Sequence, residues 1–233
     1  MEVFVGTSGW YYSWNPELSF DWYLKNSRLN GIELNASFYR FPFPNQIKSW
    51  LKKTKNFFPF LRWSIKVNRL ITHTFKFNER AFGLWKKFKD LFKLLEKNID
   101  FYLFQLPPSI TSSFSSKLEI FIKKTGLKEK FALEVRNLDW FKEEWTEWAS
   151  KLKITWVSVD SPDFPLEVYS TNKIVYLRMH GRDAWYSHNY TNKELKEVKD
   201  KIFRVGPEKI YIFFNNNTNM LSNAQTMLKI LKS

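Results

Sequence analysis

Eight short runs rich in β-branched and aromatic residues recur along this chain. They are Val3–Gly6, Gly31–Tyr39, Arg62–Asn68, Phe101–Pro107, Phe131–Asn137, Thr155–Asp160, Ile174–Gly181 and Lys209–Asn216. Each ends at a polar, Gly or Pro punctuator, as strands do. Most of the segments between them carry helical spacing instead. Helices are expected at Asp21–Arg28, from Pro44 through Leu51, and at Glu79–Lys97, Ser113–Lys124, Phe141–Leu152 and Asn223–Leu231. Another starts at Thr191-Asn192-Lys193-Glu194, which has capping-box form, and ends near Phe203. Ser161–Lys173 holds two prolines and no helical period, so the sixth connection is expected to be a loop. Eight strands alternating with seven helices imply parallel β/α topology. In 233 residues the compact solution is an α/β fold of one domain, a (β/α)8 barrel spanning 1–233. An open doubly wound sheet is the competitor, but Gly6-Thr7-Ser8-Gly9 lacks the third glycine of a phosphate-binding fingerprint.

Composition removes several function classes. Cysteine is absent, which excludes disulfides, zinc-thiolate sites and thiol nucleophiles. No apolar run approaches the roughly 20 residues of a membrane span, so no membrane partner is expected. Met1-Glu2-Val3-Phe4-Val5 has no signal-peptide form, and a cytoplasmic protein is the expectation. Lys and Arg number 37 against 23 Asp and Glu, a formal charge of +14. A balance this basic favours anionic partners. Part of the excess (Lys86, Lys87, Lys89, Lys93 and Lys97) reads as a solvated helix face.

Strand side chains alternate faces, and here the alternation sorts aliphatic from polar. Glu33 and Asn35 share one face of the second strand, Ser64, Lys66 and Asn68 one face of the third. Ala132, Glu134 and Arg136 do so on the fifth, Ser158 and Asp160 on the sixth, Tyr176, Arg178 and His180 on the seventh. The aliphatic faces are expected under helices and these polar faces inside the barrel. Gln105 ends the fourth strand, and Asn215 and Asn216 the eighth. The polar residues fall late in their strands, at the end where barrel enzymes place active sites.

Each candidate has a chemical reason. Glu134 and His180 are expected proton carriers, with Glu33 and Asp160 as further catalytic carboxylates. Arg136 orients Glu134, and the Arg178 fork suits a phosphate or carboxylate. Lys66 is read as an anion-neutralising cation in preference to a Schiff-base former. Asn35, Gln105 and Asn215 are neutral groups that fix orientation. Trp10, Tyr39 and Tyr186 lie in mouth loops, where aromatics stack on sugars or bases. Glu33, Glu134, Asp160 and His180 are the side chains a divalent metal would draw on. No close-spaced ligand motif supports one, so no metal site or cofactor is assigned. Ser8, Ser64 and Ser158 lack a nucleophile-elbow context.

Taken in order, several segments resemble one family. They are Gly6-Thr7-Ser8-Gly9-Trp10-Tyr11-Tyr12, Glu33-Leu34-Asn35-Ala36-Ser37-Phe38-Tyr39-Arg40, Ile71-Thr72-His73, Phe104-Gln105-Leu106-Pro107-Pro108, Leu133-Glu134-Val135-Arg136, Leu177-Arg178-Met179-His180-Gly181, Asn215-Asn216 and Asn223-Ala224. Together they resemble the YecE-like family, domain of unknown function 72, over nearly the whole chain. The resemblance implies a TIM barrel and assigns no activity. The chain departs from the family pattern in a short Asn15–Phe20 loop and in a missing glycine around Asn217–Met220.

Three readings follow. The leading one is an enzyme performing acid/base chemistry (hydrolysis, isomerisation or elimination) on a small anionic sugar- or nucleotide-type substrate. The second is nucleic-acid binding or metal-assisted processing. The third is a non-catalytic barrel that binds a metabolite or protein. The oligomeric state is left open.

Overall fold

A computed structural model describes all residues, Met1–Ser233. Its strands are β1 (Glu2–Thr7), β2 (Gly31–Leu34), β3 (Arg62–Lys66), β4 (Ile99–Gln105), β5 (Phe131–Glu134), β6 (Thr155–Asp160), β7 (Ile174–Met179) and β8 (Lys209–Phe214). They form one closed barrel in chain order, and every neighbouring pair is parallel. The helices are α1 (Phe20–Asn26), α2 (Pro44–Phe57), α3 (Glu79–Leu91), α4 (Ser115–Thr125), α5 (Glu143–Lys151), α6 (Asn192–Arg204) and α7 (Met220–Lys232). Residues 161–173 contain no helix. No helix is long and apolar enough to cross a membrane.

Local chemistry sets the element ends. Thr191 caps α6 by accepting the Glu194 N–H at 3.2 Å, and the Glu194 carboxylate accepts the Thr191 N–H at 2.7 Å. The second run is extended only to Leu34, not to Tyr39. The Ser37 hydroxyl reaches back to the carbonyls of Leu34 and Lys66, at 2.8 and 2.6 Å, and turns the chain at Ala36–Phe38. That turn throws Tyr39 onto the rim. Gly6 lies where β1 crosses β2, and a Cβ there would stand 2.3 Å from the Gly31 carbonyl oxygen. Only glycine lets these strands close the barrel.

Two apolar layers result. The larger lies between sheet and helices and includes Ile65, Trp85, Phe104, Leu133, Leu177 and Ile212. The smaller fills the barrel interior with Phe101, Leu103, Ala132, Val157, Val159, Tyr176, Tyr211 and Phe213. Tyr211 stacks on Phe4 and meets Phe101 edge-on, with centroids 4.9 and 4.7 Å apart. This plug separates the polar groups at the carboxyl end from the Arg62–Asp100 pair at the amino end.

β6 corrects one expectation. Val157 and Val159 face inward, while Ser158 and Asp160 face outward. The register pairs Val157 with Tyr176 and Val159 with Arg178, so these four share the interior. α5 packs against the start of β6, where Trp156 joins the outer core, but no helix follows β6, and the 161–173 loop lies against Ser158. Its polar backbone supplies partners there, and the Ser158 hydroxyl accepts the Tyr169 N–H at 2.9 Å. Polar residues on this strand therefore face out without penalty.

Candidate active site at the barrel mouth

Glu33, Glu134 and Arg178 meet at the top of the barrel because each occupies an inward position near the end of its strand. Arg178 Nε and Nη2 donate to the two oxygens of Glu33, at 3.0 and 2.6 Å. Its Nη1 donates to Glu134 Oε2 at 2.5 Å. The Ser8 hydroxyl donates to Glu33 at 2.6 Å, and the Tyr176 hydroxyl does so at 2.7 Å. That uses the only Tyr176 proton, so Ser64, 2.7 Å away, donates to Tyr176. All three charged groups are fully buried. Burial alone would raise the Glu134 pKa, but the Arg136 and Arg178 charges outweigh it and hold the group below the usual carboxylate range. Burial likewise works against the Arg178 cation, and Glu134 and Glu33 reverse it.

A second layer lies above Glu134. Arg136 pairs with Glu134 Oε1. Its Nη2 is 3.2 Å from His180 Nε2, and its guanidinium lies 4.6 Å from the Trp185 ring. Arginine can only donate, so His180 Nε2 accepts and the ring proton sits on Nδ1. The Asn215 amide lies beside Nδ1, with its nitrogen 3.3 Å away. Burial, then Arg178 and Arg136, push the His180 pKa well down, so the imidazole stays neutral. Trp185 and Tyr186 cover it, with centroids 5.2 and 5.4 Å away.

Lys66 is the exception in this cluster. Its amine makes no salt bridge and no hydrogen bond, yet the residue is only 8% exposed. It rests over the Phe38 ring at 4.3 Å. Burial, then Arg178, lower its pKa to about 7, against the pull of Glu134 and Glu33. The ring face favours the cation by about 0.5–2 kcal/mol, less than burial removes. The same burial, then Lys66 and Arg69, takes neighbouring His73 down to about 4. His73 is half-buried beside Phe38, and its Nδ1 is 2.7 Å from the Thr72 hydroxyl.

Lys66 opens into a cleft of about 930 Å³. Trp10, Tyr39, Tyr186, Asn35 and Asn215 line it, as the sequence reading expects of a shared pocket. Asn35 Oδ1 is buried there without a partner. The sequence reading missed Tyr11, Arg40, Gln46, Trp50 and Lys53, which are also part of the walls. Arg40 and Tyr11 adjoin Tyr39 and Trp10 in sequence, the one local signal that places them at the mouth. A smaller cavity, about 540 Å³, lies across Trp185 and is lined by Arg136, Asn137, Asp163 and Phe164 among others.

Other candidates lie elsewhere. Glu33, Glu134, Arg178 and His180 form the floor beneath the cleft and do not line it. Arg178 was expected to meet a substrate anion, but its three nitrogens are occupied by carboxylates. Gln105 is half-buried at the end of β4, outside the cleft, which is offset toward β1, β2, β3 and β8. Asp160 joins a separate outward network, accepting from the Tyr190 hydroxyl at 2.7 Å and from Arg182 at 3.1 Å. The four groups considered for a divalent metal are thus not gathered, and no trio of His, Asp or Glu is arranged to ligate one.

A closed eight-stranded parallel barrel, with charged side chains converging at its carboxyl end, defines a TIM-barrel protein with one principal mouth cleft. More narrowly, the chain belongs to the DUF72 family, whose model is described as a protein of unknown function and matches residues 4–233. A DUF72 family protein from Thermotoga maritima has the same fold, with a TM-score of 0.80, 24% identity and full coverage of both chains. One from Enterococcus faecalis V583 gives 0.80 at 19% identity, covering 100% of this chain and 98% of that one. D-psicose 3-epimerase from Clostridium cellulolyticum H10, solved with D-tagatose, gives 0.57 at 12% identity, with 100% and 98% covered. No curated protein matches the sequence.

Proposed function

We propose that the mouth cleft is the active site of an enzyme performing acid/base chemistry on a small anionic substrate of sugar or nucleotide type. One observation carries this reading. Lys66 is a buried amine without a carboxylate partner, and it faces a cleft walled by aromatic and amide side chains. Its pKa of about 7 lets it give and take a proton near neutrality. Tyr39, Trp10 and Tyr186 are placed to hold a ring, and Asn35 and Asn215 to orient hydroxyls. Arg40, on the same wall, supplies a cation for the substrate's anionic group. Glu134 and His180, first expected as proton carriers, become positioning groups: Glu134 is held anionic by two arginines, and neutral His180 is capped by aromatics. The reaction class stays hydrolysis, isomerisation or elimination, with Lys66 as the proton carrier.

The test is a shift of the urea midpoint against sugar phosphates, nucleotides, neutral sugars and short oligonucleotides. A ligand at 100 times its dissociation constant adds about 2.7 kcal/mol. The expected result is stabilisation by one small anion, lost in Lys66→Met. Stabilisation by oligonucleotides alone, fading with salt, replaces this reading with nucleic-acid binding.

A further inference from the structure

The charges in the barrel floor balance without Lys66. Two carboxylates, Glu33 and Glu134, face two guanidiniums, Arg178 and Arg136, and each carboxylate is bound to guanidinium nitrogens. A protonated Lys66 is therefore an excess cation beside a neutral cluster. No anion in the protein is positioned to hold it as ammonium. Lys53, the other lysine lining the cleft, differs in this respect because it pairs with Asp21. The Lys66 backbone is pinned through its carbonyl by Ser37, so the side chain projects from a rigid strand end. A free amine desolvated among cations and aromatic carbon is the environment that makes lysine a nucleophile.

We propose that Lys66 captures a carbonyl group, so that the substrate is an anionic aldehyde or ketone, such as the open-chain form of a sugar phosphate. This rests on the reading of the cleft as a small-molecule site, narrows its substrate class, and makes Lys66 the nucleophile in place of the proton carrier. The neutral amine adds its lone pair to the carbonyl carbon. The C–N bond forms, the C=O π pair moves to oxygen, and that oxygen takes a proton as nitrogen loses one. The hydroxyl of the resulting carbinolamine then takes one more proton, from solvent in the cleft, and leaves as water, giving an iminium. The iminium restores a positive charge at Lys66, and the substrate's anionic group supplies the counter-charge that the floor lacks. Protons α to the iminium become acidic, which suits isomerisation or elimination.

The test uses the full-length protein, sodium cyanoborohydride and three probes: dihydroxyacetone phosphate, glycolaldehyde phosphate and pyridoxal 5′-phosphate. Reduction converts any imine to a stable secondary amine, which peptide mapping by mass spectrometry locates. At pH 7 an amine with pKa about 7 has on the order of 1,000 times the free-base fraction of an ordinary surface lysine. The expected result with at least one probe is labelling at Lys66 exceeding that at any other lysine by about tenfold or more. Total adduct by intact mass should fall to background in Lys66→Arg. Because the mapping is done on the native chain, the outcome does not depend on that variant folding. Labelling spread evenly over surface lysines with all three probes overturns the proposal. Urea midpoints with the same probes, without reductant, separate the two readings. Stabilisation without a Lys66 adduct removes the imine and keeps the small-anion site; neither effect removes both.

Discussion

Arg178 holds Glu33 in a two-point grip, Nε to one oxygen at 3.0 Å and Nη2 to the other at 2.6 Å, with both side chains fully buried. Breaking a buried pair by deleting one charge leaves the other uncompensated, which costs about 3–5 kcal/mol. Glu33→Gln should therefore lower stability by that amount in urea denaturation, and Arg178→Met by at least as much, since it strands Glu33 and leaves Glu134 with Arg136 alone. A loss under about 1 kcal/mol is what a solvated pair gives, and would mean that the floor is wet.

Lys66 fixes a direction for stability against pH. Its folded pKa is about 7, below the unfolded value of 10.5. Between those values the unfolded chain binds the extra proton, so stability rises with pH. The contribution is full above about pH 10.5 and is gone by about pH 7. Lys66→Met lacks it. The wild-type stability minus that of Lys66→Met should therefore grow from pH 7 to pH 9.5, measured by urea midpoints. A difference that stays flat or shrinks would assign Lys66 an ordinary or raised pKa.

Asp160 separates the floor from the outer network. It accepts from Tyr190 and Arg182 on the outward face of β6 and does not line the cleft. Asp160→Asn should cost about 1–3 kcal/mol, through weakened charge-assisted hydrogen bonds. The affinity of the cleft for a small-anion ligand, read by titration calorimetry, should stay within about twofold. A tenfold loss of affinity at unchanged stability would return Asp160 to the site.

The strands were legible because each run ends at its own punctuator, and the absence of a helix after β6 because Pro162 and Pro165 interrupt that segment. The inward placement of Glu33, Glu134 and Arg178 followed from alternation alone. The facing of β6 did not. Ser158 and Asp160 look like a polar inner face until one knows that a polar loop, not an apolar helix, lies outside them. The role of Arg178 was hidden for another reason. Its partner Glu33 is 145 residues away, and nothing local says that a fork is already filled. Lys66 stood out only after the other charges had found partners.

Gly181 sets the loop that carries Trp185 and Tyr186. Its φ is +120°, and an added Cβ would stand 2.5 Å from the Ala184 carbonyl oxygen and 2.8 Å from the His188 Cβ. Gly181→Ala should cost about 1–3 kcal/mol, displace both aromatics from His180 and take Tyr186 off the cleft wall. Ligand affinity should fall together with stability. Retained affinity would show that Tyr186 is not part of the binding wall.

Tyr39 offers the converse case, a side chain whose removal should leave the fold untouched. It is 71% exposed on the cleft rim, where the turn at Ala36–Phe38 places it, and Tyr11 on the same rim is 72% exposed. Exposed aromatics bury little area in the free protein, so Tyr39→Ala should change stability by less than about 0.5 kcal/mol. Stacking a ring on such a platform is worth about 1–3 kcal/mol. The variant should therefore bind a ring-bearing anion roughly 5- to 150-fold more weakly. A ring-free anion of the same charge should bind it as before. Comparing the two ligands by calorimetry isolates stacking from charge. An equal loss for both would mean that Tyr39 shapes the mouth without stacking on the substrate.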